Sequence, residues 1–414
     1  MRVLHVTQGY HPTIGGTEWL IQQVSERLVR EHADEVTVFT TNCWNGEGFF
    51  TPALPTLPVG WSEVAGVRVR RFPVHSRVSA LLRKPQERAY RHRLPGNENL
   101  RAWAQGPLIT GLERAIREFP SDIVVASSFP LLHMFAALRA AHASGRPCVL
   151  IGALHPQDDW GFGRAMIYRA IREADAYVAF TVYEAEHVIR RGADPRRVHV
   201  IGLGVDPAPH EGISRDEARR RYGLEGGPVV GFIGQLGHHK GVDTLLRAMP
   251  AVWRSVPAAR LLLAGARTGF SGQIATVLAD WPGHRRSKVS LVTNFSEEEK
   301  ASLFAALDVF VYPSGYESFG IAFLEAWVAG KPVIGCFRGA VPWVVDAGRD
   351  GLLVDFQDDI KLAAAVVLLL ENRRWARALG EAGRAKALAR HTWSEVTDHF
   401  RRVYEDQVPE PSSH

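Results

Sequence analysis

The chain has 414 residues, enough for two or three domains, since a domain typically holds ~150 residues. With 46% hydrophobic and 22% charged residues, its composition excludes a disordered chain, and a net charge of +5 is too small for a general nucleic-acid-binding surface. Three widely separated cysteines exclude a disulfide scaffold and a cysteine-rich zinc site. No apolar signal segment precedes the first predicted strand, and the longest apolar run, Leu362–Leu370, is about half the length of a spanning helix. We therefore expect a cytoplasmic protein that does not bind nucleic acid.

Short β-branched runs alternate with segments of helical period through most of the chain. The runs that predict strands lie at 2–7, 35–40, 122–126, 148–151, 176–180 and 198–201 in a first series, and at 228–233, 260–264, 289–292, 309–312, 333–335 and 351–355 in a second. Helices are predicted near 18–30, 131–142, 215–222 and 242–249. This pitch indicates parallel βαβ units, so we predict an α/β protein of two doubly wound, Rossmann-like domains facing a cleft.

Composition places the domain boundaries. The polar, proline- and glycine-containing stretch Asp206–Gly227 separates the two series, which predicts an N-terminal domain at 1–206 and a C-terminal domain at 207–391. Residues 43–106, rich in Trp, Pro, Gly and Arg, fit the alternation poorly and are predicted to be an insertion. Residues 392–414 hold an amphipathic stretch, Trp393–Tyr404, and a short tail, Pro409–His414.

Two glycine-containing turns join a predicted strand to a helix. Gly15 and Gly16 follow the first strand, and glycines there let backbone amides approach an anion, although an ordinary tight turn would look the same. In the second domain, Gly234 and Gln235 follow a strand, and Lys240 comes just before the next helix. Lysine supplies only seven of the 49 basic residues. A lysine at this position can neutralise a diphosphate, whereas the alternative is a solvated loop lysine.

The most specific pattern is a pair of glutamates eight residues apart, Glu317 and Glu325. We expect Ser318 to cap a helix that carries Glu325, and Glu317 to lie in the preceding loop, facing the cleft. The backbone amides of Phe319 and Gly320 would then offer an anion site. The alternative, in which both acids lie on a solvated helix face, fits the sequence poorly, because Glu325 is flanked by apolar residues. Burial of Glu325 would require a polar partner.

A histidine, His155, follows a predicted strand of the first domain by a few residues. A structural histidine in a turn is the usual explanation, but the carboxyl end of a strand is where such sheets bind ligands.

Together these residues resemble the retaining GT-B glycosyltransferases of family four, the sucrose-synthase-like and mannosyltransferase-like group. The resemblance covers essentially the whole chain. It includes Gly15-Gly16-Thr17-Glu18, His155, Gly204-Val205-Asp206, Gly234 to Gly241, the Glu317/Glu325 pair, Gly351–Val354 and the pattern from His391 to Tyr404. It implies an N-terminal acceptor domain, a C-terminal nucleotide-sugar donor domain and a final helix that returns to the first domain.

The resemblance also implies roles for single residues. Lys240, in the loop with Gly234 and Gln235, would bind the donor diphosphate, and Glu325 the ribose hydroxyls. Catalysis would rest on Glu317 and His155: Glu317, with the amides of Phe319 and Gly320, would hold the transferred sugar, and His155 would contact it near the reacting carbon. Gly15 and Gly16 would approach the phosphate or the acceptor. The resemblance implies no metal and no cofactor, only a UDP-, GDP- or ADP-sugar as substrate.

Two departures from the family pattern leave alternatives open. Gln235 stands where the family usually has arginine, and Trp343 replaces the acid of a Gly-Gly-x-Pro-Glu turn. Both favour a non-catalytic protein that binds a nucleotide-sugar. A nucleotide-sugar epimerase on the same scaffold would need further acids and bases in the first domain, where only His155 is suitably placed. The main expectation is transfer of a sugar to an acceptor hydroxyl of a glycan, glycolipid or small molecule.

A basic segment, Arg68–Arg93, carries nine cations against the single acid Glu87. It is either a solvated loop or a surface for an anionic partner, such as a lipid-linked acceptor or the inner face of an anionic membrane.

Overall fold

The computed structural model describes residues 1–13 and 15–408, which form two compact units. The first unit comprises Met1–Leu203 together with the chain from Trp393 onward, and the second comprises Gly204–Thr392. The predicted tail, Pro409–His414, lies outside the described residues.

The first unit is built on an eight-stranded sheet. Its strands are β1 (Arg2–Val6), β2 (Glu35–Thr41), β3 (Gly60–Val64), β4 (Val67–Phe72), β5 (Ile123–Ser127), β6 (Cys148–Ile151), β7 (Ala176–Ala179) and β8 (Val198–Val200). They lie in the order β3-β4-β2-β1-β5-β6-β7-β8, and each neighbouring pair is parallel except β3 with β4. The central strands are apolar and buried along nearly their whole length, as expected where helices cover both faces of a parallel sheet.

The helices of this unit follow the predicted alternation. They are α1 (Gly16–His32), α2 (Ser76–Arg91), α3 (Asn97–Gln105), α4 (Leu112–Glu118), α5 (Leu132–Ala143), α6 (Asp159–Phe162), α7 (Ala165–Glu173) and α8 (Val182–Arg190), with 3-10 turns at Gly46–Phe49 and Pro195–Arg197.

The prediction that residues 43–106 stand outside the alternation is wrong for the middle of that segment. Strands β3 and β4 continue the main sheet, β4 by pairing in parallel with β2. The sequence did not reveal β3 because it is an edge strand whose residues are mostly exposed, so it lacks the apolar alternation of a buried strand.

The second unit has a six-stranded, fully parallel sheet in the order β11-β10-β9-β12-β13-β14. Its strands are β9 (Val229–Ile233), β10 (Arg260–Ala264), β11 (Val289–Val292), β12 (Val309–Val311), β13 (Val333–Cys336) and β14 (Gly351–Val354). Its helices are α9 (Arg215–Arg221), α10 (Val242–Ser255), α11 (Ser271–Asp280), α12 (Gly283–Arg286), α13 (Glu297–Ala306), α14 (Ile321–Val328), α15 (Val341–Val344), α16 (Asp359–Glu371) and α17 (Arg373–Arg390), with 3-10 turns at Ala208–His210 and His238–Lys240.

The last helix, α18 (Trp393–Gln407), packs on α1 and so belongs to the first unit, as predicted. His5 of β1 lies between the two helices, with Nδ1 2.7 Å from the Ser25 hydroxyl and Nε2 3.2 Å from the Tyr404 hydroxyl. Arg401 donates to the buried carboxylate of Asp34 at 3.0 Å. These polar contacts fix the orientation of α18, whose apolar side is buried.

Candidate donor-binding site

The candidate site of the second unit lies where the direction of strand addition reverses. The chain places β9, β10 and β11 successively toward one edge of the sheet, and then places β12, β13 and β14 toward the other. Strands β9 and β12 are therefore neighbours and pair in parallel. Open α/β sheets bind ligands at such a switch point, beyond the carboxyl ends of the strands. The loops after β9 and β12 carry Lys240 and Glu317.

Close backbone approach holds these two loops together. Gly241, with φ 77°, ends the loop after β9, and a Cβ there would lie 2.3 Å from the carbonyl oxygen of Pro313. The amide of Gly315 donates to the carbonyl of His239 at 3.1 Å, and the Ser314 hydroxyl donates to the same carbonyl at 3.3 Å. Only glycine satisfies both the left-handed conformation and the contact at position 241.

Lys240 and Glu317 meet across this junction. The Lys240 Nζ lies 2.7 Å from Glu317 Oε1, and the two side chains are 17% and 10% exposed. Nζ also lies 5.8 Å from the centroid of the buried Tyr312 ring. Burial lowers the pKa of Lys240, but the charge of Glu317 and the hydrogen-bonding groups around it raise that pKa more, so the ammonium stays protonated. The two residues predicted to handle the donor thus form one charged pair.

The helix after Glu317 begins later than predicted. Helix α14 starts at Ile321, and its N-cap is Gly320 with φ 102°, so the prediction that Ser318 caps the helix is wrong. The left-handed residue turns the chain directly into the helix, and a Cβ at Gly320 would meet the Phe323 ring at 2.8 Å. Glu317 is in the loop, as predicted, and Phe319 and Gly320 lie at the N-terminus of α14.

Glu325 of α14 is largely buried, with a side chain 12% exposed, and has a partner that the sequence did not reveal. Lys300 of α13 lies 2.5 Å from Glu325 Oε1 and 3.2 Å from a Glu297 oxygen. Burial raises the pKa of Glu325, and the charge of Lys300 opposes that rise. Burial lowers the pKa of Lys300, but Glu325 and Glu297 outweigh burial and raise it overall. The scarcity of lysine in the chain was the one sequence signal that could have pointed to Lys300, and the sequence analysis applied it only to Lys240.

The two departures from the family pattern lie on the surface of the second unit. Gln235, directly after Gly234 in the loop following β9, is exposed. Trp343 of α15 is 50% exposed.

The residues predicted in the first unit lie near the switch point of its own sheet, between β1 and β5. Gly15 is the extended N-cap of α1 and Gly16 its first residue, and a Cβ on Gly15 would overlap the carboxylate of Glu18. His155 follows β6, the neighbour of β5, and meets the Phe162 ring edge-on at 5.5 Å between centroids.

A buried carboxylate that the sequence analysis missed, Glu184, holds the loop before His155. It accepts hydrogen bonds from the amides of Leu154 (3.1 Å) and Phe180 (3.0 Å) and from the Tyr177 hydroxyl (2.6 Å). Burial raises the pKa of Glu184 to about 7, against these three donors.

In residues 1–13 and 15–408, no group of three or more His, Cys, Asp or Glu side chains is arranged to hold a metal ion. Across the same residues, no helix has the length and apolarity needed to span a bilayer.

Two doubly wound units, one with a lysine–glutamate pair at its switch point, define an α/β protein of the Rossmann-like class. Residues 15–204 match the family described as "Glycosyl transferase 4-like domain", and residues 214–386 match "Glycosyl transferases group 1". The chain belongs to the GT4-like glycosyltransferases, which confirms the family predicted from the sequence.

Curated relatives agree with this family. The GDP-mannose-dependent alpha-(1-6)-phosphatidylinositol monomannoside mannosyltransferase of Mycobacterium tuberculosis is 28% identical over 412 residues, covering 95% of this chain and 96% of its own. The D-inositol 3-phosphate glycosyltransferase of Segniliparus rotundus is 33% identical over 239 residues, covering 56% of this chain and 53% of its own. The chain thus spans about half the length of this relative and of several like it.

Solved structures confirm the predicted fold. HepE of Anabaena, in complex with UDP and glucose, has a TM-score of 0.72 at 18% identity and covers 98% of this chain and 100% of its own. The sucrose-phosphate synthase of Thermosynechococcus elongatus has a TM-score of 0.72 at 20% identity, covering 98% and 99%. Both units are Rossmann-like, as in GT-B glycosyltransferases.

Proposed function

We propose that the protein is a retaining glycosyltransferase that moves a sugar from a nucleotide-sugar to an acceptor hydroxyl. The observation that carries the proposal is the Lys240–Glu317 pair, 2.7 Å apart at the switch point of the second unit. The donor would bind in the second unit and the acceptor in the first. The relative named for GDP-mannose and the structure containing UDP support a nucleotide-sugar donor.

Lys240 would stabilise the leaving diphosphate without a metal ion or other cofactor. An ammonium has three N–H donors, so Lys240 can keep its bond to Glu317 and still donate to a phosphate oxygen. Gly234, Gln235 and the amides of Phe319 and Gly320 would contribute further contacts, the latter two at the positive end of α14. Charge that develops on the diphosphate during departure would meet a fixed positive charge in a largely buried setting.

Glu317 would hold hydroxyls of the transferred sugar, and His155 would contact that sugar near its reacting carbon. The bond from the anomeric carbon to the diphosphate breaks, and the acceptor oxygen bonds to the same face of that carbon. The acceptor proton passes to an oxygen of the leaving diphosphate. Gly15 and Gly16 would leave room for the phosphate or the acceptor beside the start of α1.

Glu325 would accept hydrogen bonds from the ribose hydroxyls. A carboxylate has two acceptor oxygens, and Lys300 is bound to Oε1, so Oε2 is the oxygen we assign to the ribose. Lys300 opposes the rise in the Glu325 pKa that burial causes, and so favours the ionised carboxylate that would accept from the hydroxyls.

A panel of UDP-, GDP- and ADP-sugars, read by mass spectrometry, tests the function. We expect nucleoside diphosphate release from one donor, increased by a suitable acceptor, and loss of that release in Glu317→Gln. Conversion of the donor to its epimer without diphosphate release would identify an epimerase instead. Donor binding without any conversion would identify the non-catalytic protein that Gln235 and Trp343 favour.

We also propose that helix α2 makes a peripheral contact with an anionic membrane surface. Three of the nine cations in Arg68–Arg93 have other uses on β4: Arg71 is buried and donates to Ser62, while Arg68 and Arg70 lie over the Trp61 ring at 5.0 and 5.5 Å. The other six are exposed on α2 or just after it: Arg77, Arg83, Lys84, Arg88, Arg91 and Arg93. One of them, Arg83, also lies over the Phe50 ring at 4.8 Å.

The exposed side of α2 also carries apolar residues. Leu81 is 78% exposed and Val78 is 46% exposed, and Leu94, just beyond the end of the helix, is 48% exposed. None of the six cations forms an ion pair within the part of the chain that the structure describes. A helix with basic and apolar residues on one exposed side suits the interface of an anionic bilayer, where a lipid-linked acceptor would be found.

A further inference from the structure

A second charged cavity lies in the second unit, away from the candidate donor site. It has a volume of about 280 Å³ and is lined by residues that directly precede three strands: Pro228 before β9, Asp308 before β12 and Pro332 before β13. The cavity is therefore at the amino ends of the strands. Lys240 and Glu317 follow the carboxyl ends of β9 and β12, so they lie at the opposite ends of the same strands.

Positive charge dominates the lining of this cavity. The cationic lining residues are Arg215, Lys331, Arg373 and Arg377, against one acid, Asp308. Asp308 is already paired with Arg215 and with Arg219, and it accepts the amide of Val229 at 2.6 Å. One carboxylate shared by two guanidinium groups cannot also balance Lys331 and the two arginines of α17.

Lys331 is the least exposed cation of the group, since Arg215, Arg373 and Arg377 are all exposed. Its Nζ donates to the carbonyls of Ala305 and Leu307 at 3.0 and 2.9 Å, near the end of α13. Burial, together with the charges of Arg215 and Arg219, lowers the pKa of Lys331 to about 8. Burial is the main cause of this lowering; Arg215 and Arg219 add to it and Asp308 opposes it, so an anion beside Lys331 would favour its charged form.

The start of α17 adds positive charge where a helix least favours it. Its first residues are Arg373-Arg374-Trp375-Ala376-Arg377, with no acid in the first turn. The N-terminus of a helix carries a partial positive charge, and like charges four residues apart repel, so this sequence destabilises the helix on its own. Neither Arg373 nor Arg377 pairs with an acid anywhere in the described ranges. Sequences that destabilise their own helix occur mainly at functional sites, where a bound ligand can offset the repulsion.

We propose that this cavity binds a small phosphate-bearing anion, either inorganic phosphate or a phosphate monoester. Arginine guanidinium groups offer forked donors that match phosphate oxygens, and Lys331 adds a compact charge from the side of the sheet. A volume of about 280 Å³ is near the lower end of the range for small-molecule pockets, roughly 300–1,000 Å³, and suits a small anion. The bound anion would contact α9 through Arg215, the amino end of β13 through Lys331, and α17 through Arg373 and Arg377.

Calorimetry with inorganic phosphate, at constant ionic strength maintained with chloride, tests the site in the full chain. The test variant is Arg373→Ala/Arg377→Ala. The matched control is Arg384→Ala/Arg390→Ala, which removes two exposed arginines farther along the same helix. Lys240→Ala serves as a second control, because phosphate also suits the candidate donor site. Glucose 6-phosphate, in place of phosphate, distinguishes a monoester site from one for the free ion.

We expect the wild-type chain, the Arg384/Arg390 control and Lys240→Ala to bind phosphate or the monoester. Affinity should fall about tenfold or more in the Arg373/Arg377 variant, the consequence of losing at least one charge-assisted contact. Equal affinity in the two double variants would overturn the proposal, as would loss of all binding in Lys240→Ala or no binding by the wild-type chain. None of these results depends on sugar transfer, so the proposed enzymatic function is tested separately.

Discussion

At the scale of single residues, three of the six lysines of the second unit pair with acids that are buried or largely buried. Lys240 pairs with Glu317, Lys300 with Glu325 and Lys386 with Asp350, each within 2.7 Å. In a chain that uses arginine for most of its positive charge, a compact ammonium fits beside a buried carboxylate where a planar guanidinium would need more space. Two of these three pairs involve the glutamates predicted to handle the donor.

Lys240→Ala should weaken nucleoside diphosphate binding by ~1.5–3 kcal/mol, the range for hydrogen bonds to charged groups. Calorimetry with UDP, GDP and ADP measures the loss. Lys361→Ala, which removes an exposed lysine of the same unit, should change the affinity little. If the affinity of Lys240→Ala equals that of Lys361→Ala, Lys240 does not bind the diphosphate. Gln235→Arg, which adds a second cation to the same loop, should tighten binding.

Lys300→Met should make nucleotide affinity depend on pH. Lys300 opposes the rise in the pKa of Glu325 that burial causes, so its removal raises that pKa further. Ribose binding needs the ionised carboxylate, and affinity in Lys300→Met should therefore fall as the pH is lowered, beginning at a higher pH than in the wild-type chain. Titrations between pH 5 and 8 measure this. In Glu325→Gln, nucleotide affinity should be weak at every pH. If affinity depends on pH in the same way in Lys300→Met and in the wild-type chain, the assignment of Glu325 to the ribose is wrong.

At the scale of elements, helices α2 and α18 both lie on the first unit and differ in what they leave exposed. Helix α18 buries its apolar side against α1, whereas α2 keeps a basic side and the Leu81 side chain in solvent. Two helices continue through an internal proline. Helix α2 contains Pro85, and α10 runs through Pro250 to Ser255, so it is longer than the helix predicted to end at Met249. Each proline removes one backbone donor, and packing of the helix outweighs that loss.

The exposed side of α2 should bind anionic vesicles. Each basic residue near such a surface contributes ~1 kcal/mol, so the six cations suffice for reversible attachment. Flotation with anionic and neutral liposomes at 0.1 M and 1 M salt tests this, because the Debye length shortens from ~10 Å to ~3 Å over that range. Arg83→Glu/Arg88→Glu should abolish binding, while Arg384→Glu/Arg390→Glu on α17 should not. No preference for anionic vesicles at low salt would leave a soluble acceptor as the partner of α2.

The attachment of α18 should weaken in acid through His5. Burial lowers the pKa of His5 to about 3, whereas an unfolded histidine titrates near 6.5. Between these values the unfolded chain binds more protons, so this contribution to stability is complete above pH 6.5 and is lost as the pH falls, by about 2 kcal/mol at pH 5. His5→Gln cannot take up that proton. In thermal unfolding, the midpoint of the wild-type chain should exceed that of His5→Gln by more at pH 7.5 than at pH 5. An equal difference in midpoint at the two pH values would contradict this linkage.

At the scale of the whole molecule, the sequence predicted what depends on local patterns. Buried parallel strands are continuous apolar runs, so twelve strands were predicted within a few residues, and the loops after β9 and β12 were found from their glycines and charges. Strands β3 and β4 were not predicted, β3 because its residues are mostly exposed. Ser318 was wrongly made a cap because the sequence does not show which residue turns left-handed. The pairing of Lys300 with Glu325 depends on α13 lying beside α14, which no local pattern encodes.

The bridge between Val205 and Thr392 has a consequence for how the protein is made. The chain enters the second unit and leaves it through neighbouring, parallel segments, with the Val205 amide donating to the His391 carbonyl at 2.7 Å. The second unit is therefore an inserted domain with its two ends side by side, and we expect it to fold as a unit during translation. The first unit cannot be completed until α18 has left the ribosome, so through most of synthesis the surface of α1 that α18 will cover is open to chaperones.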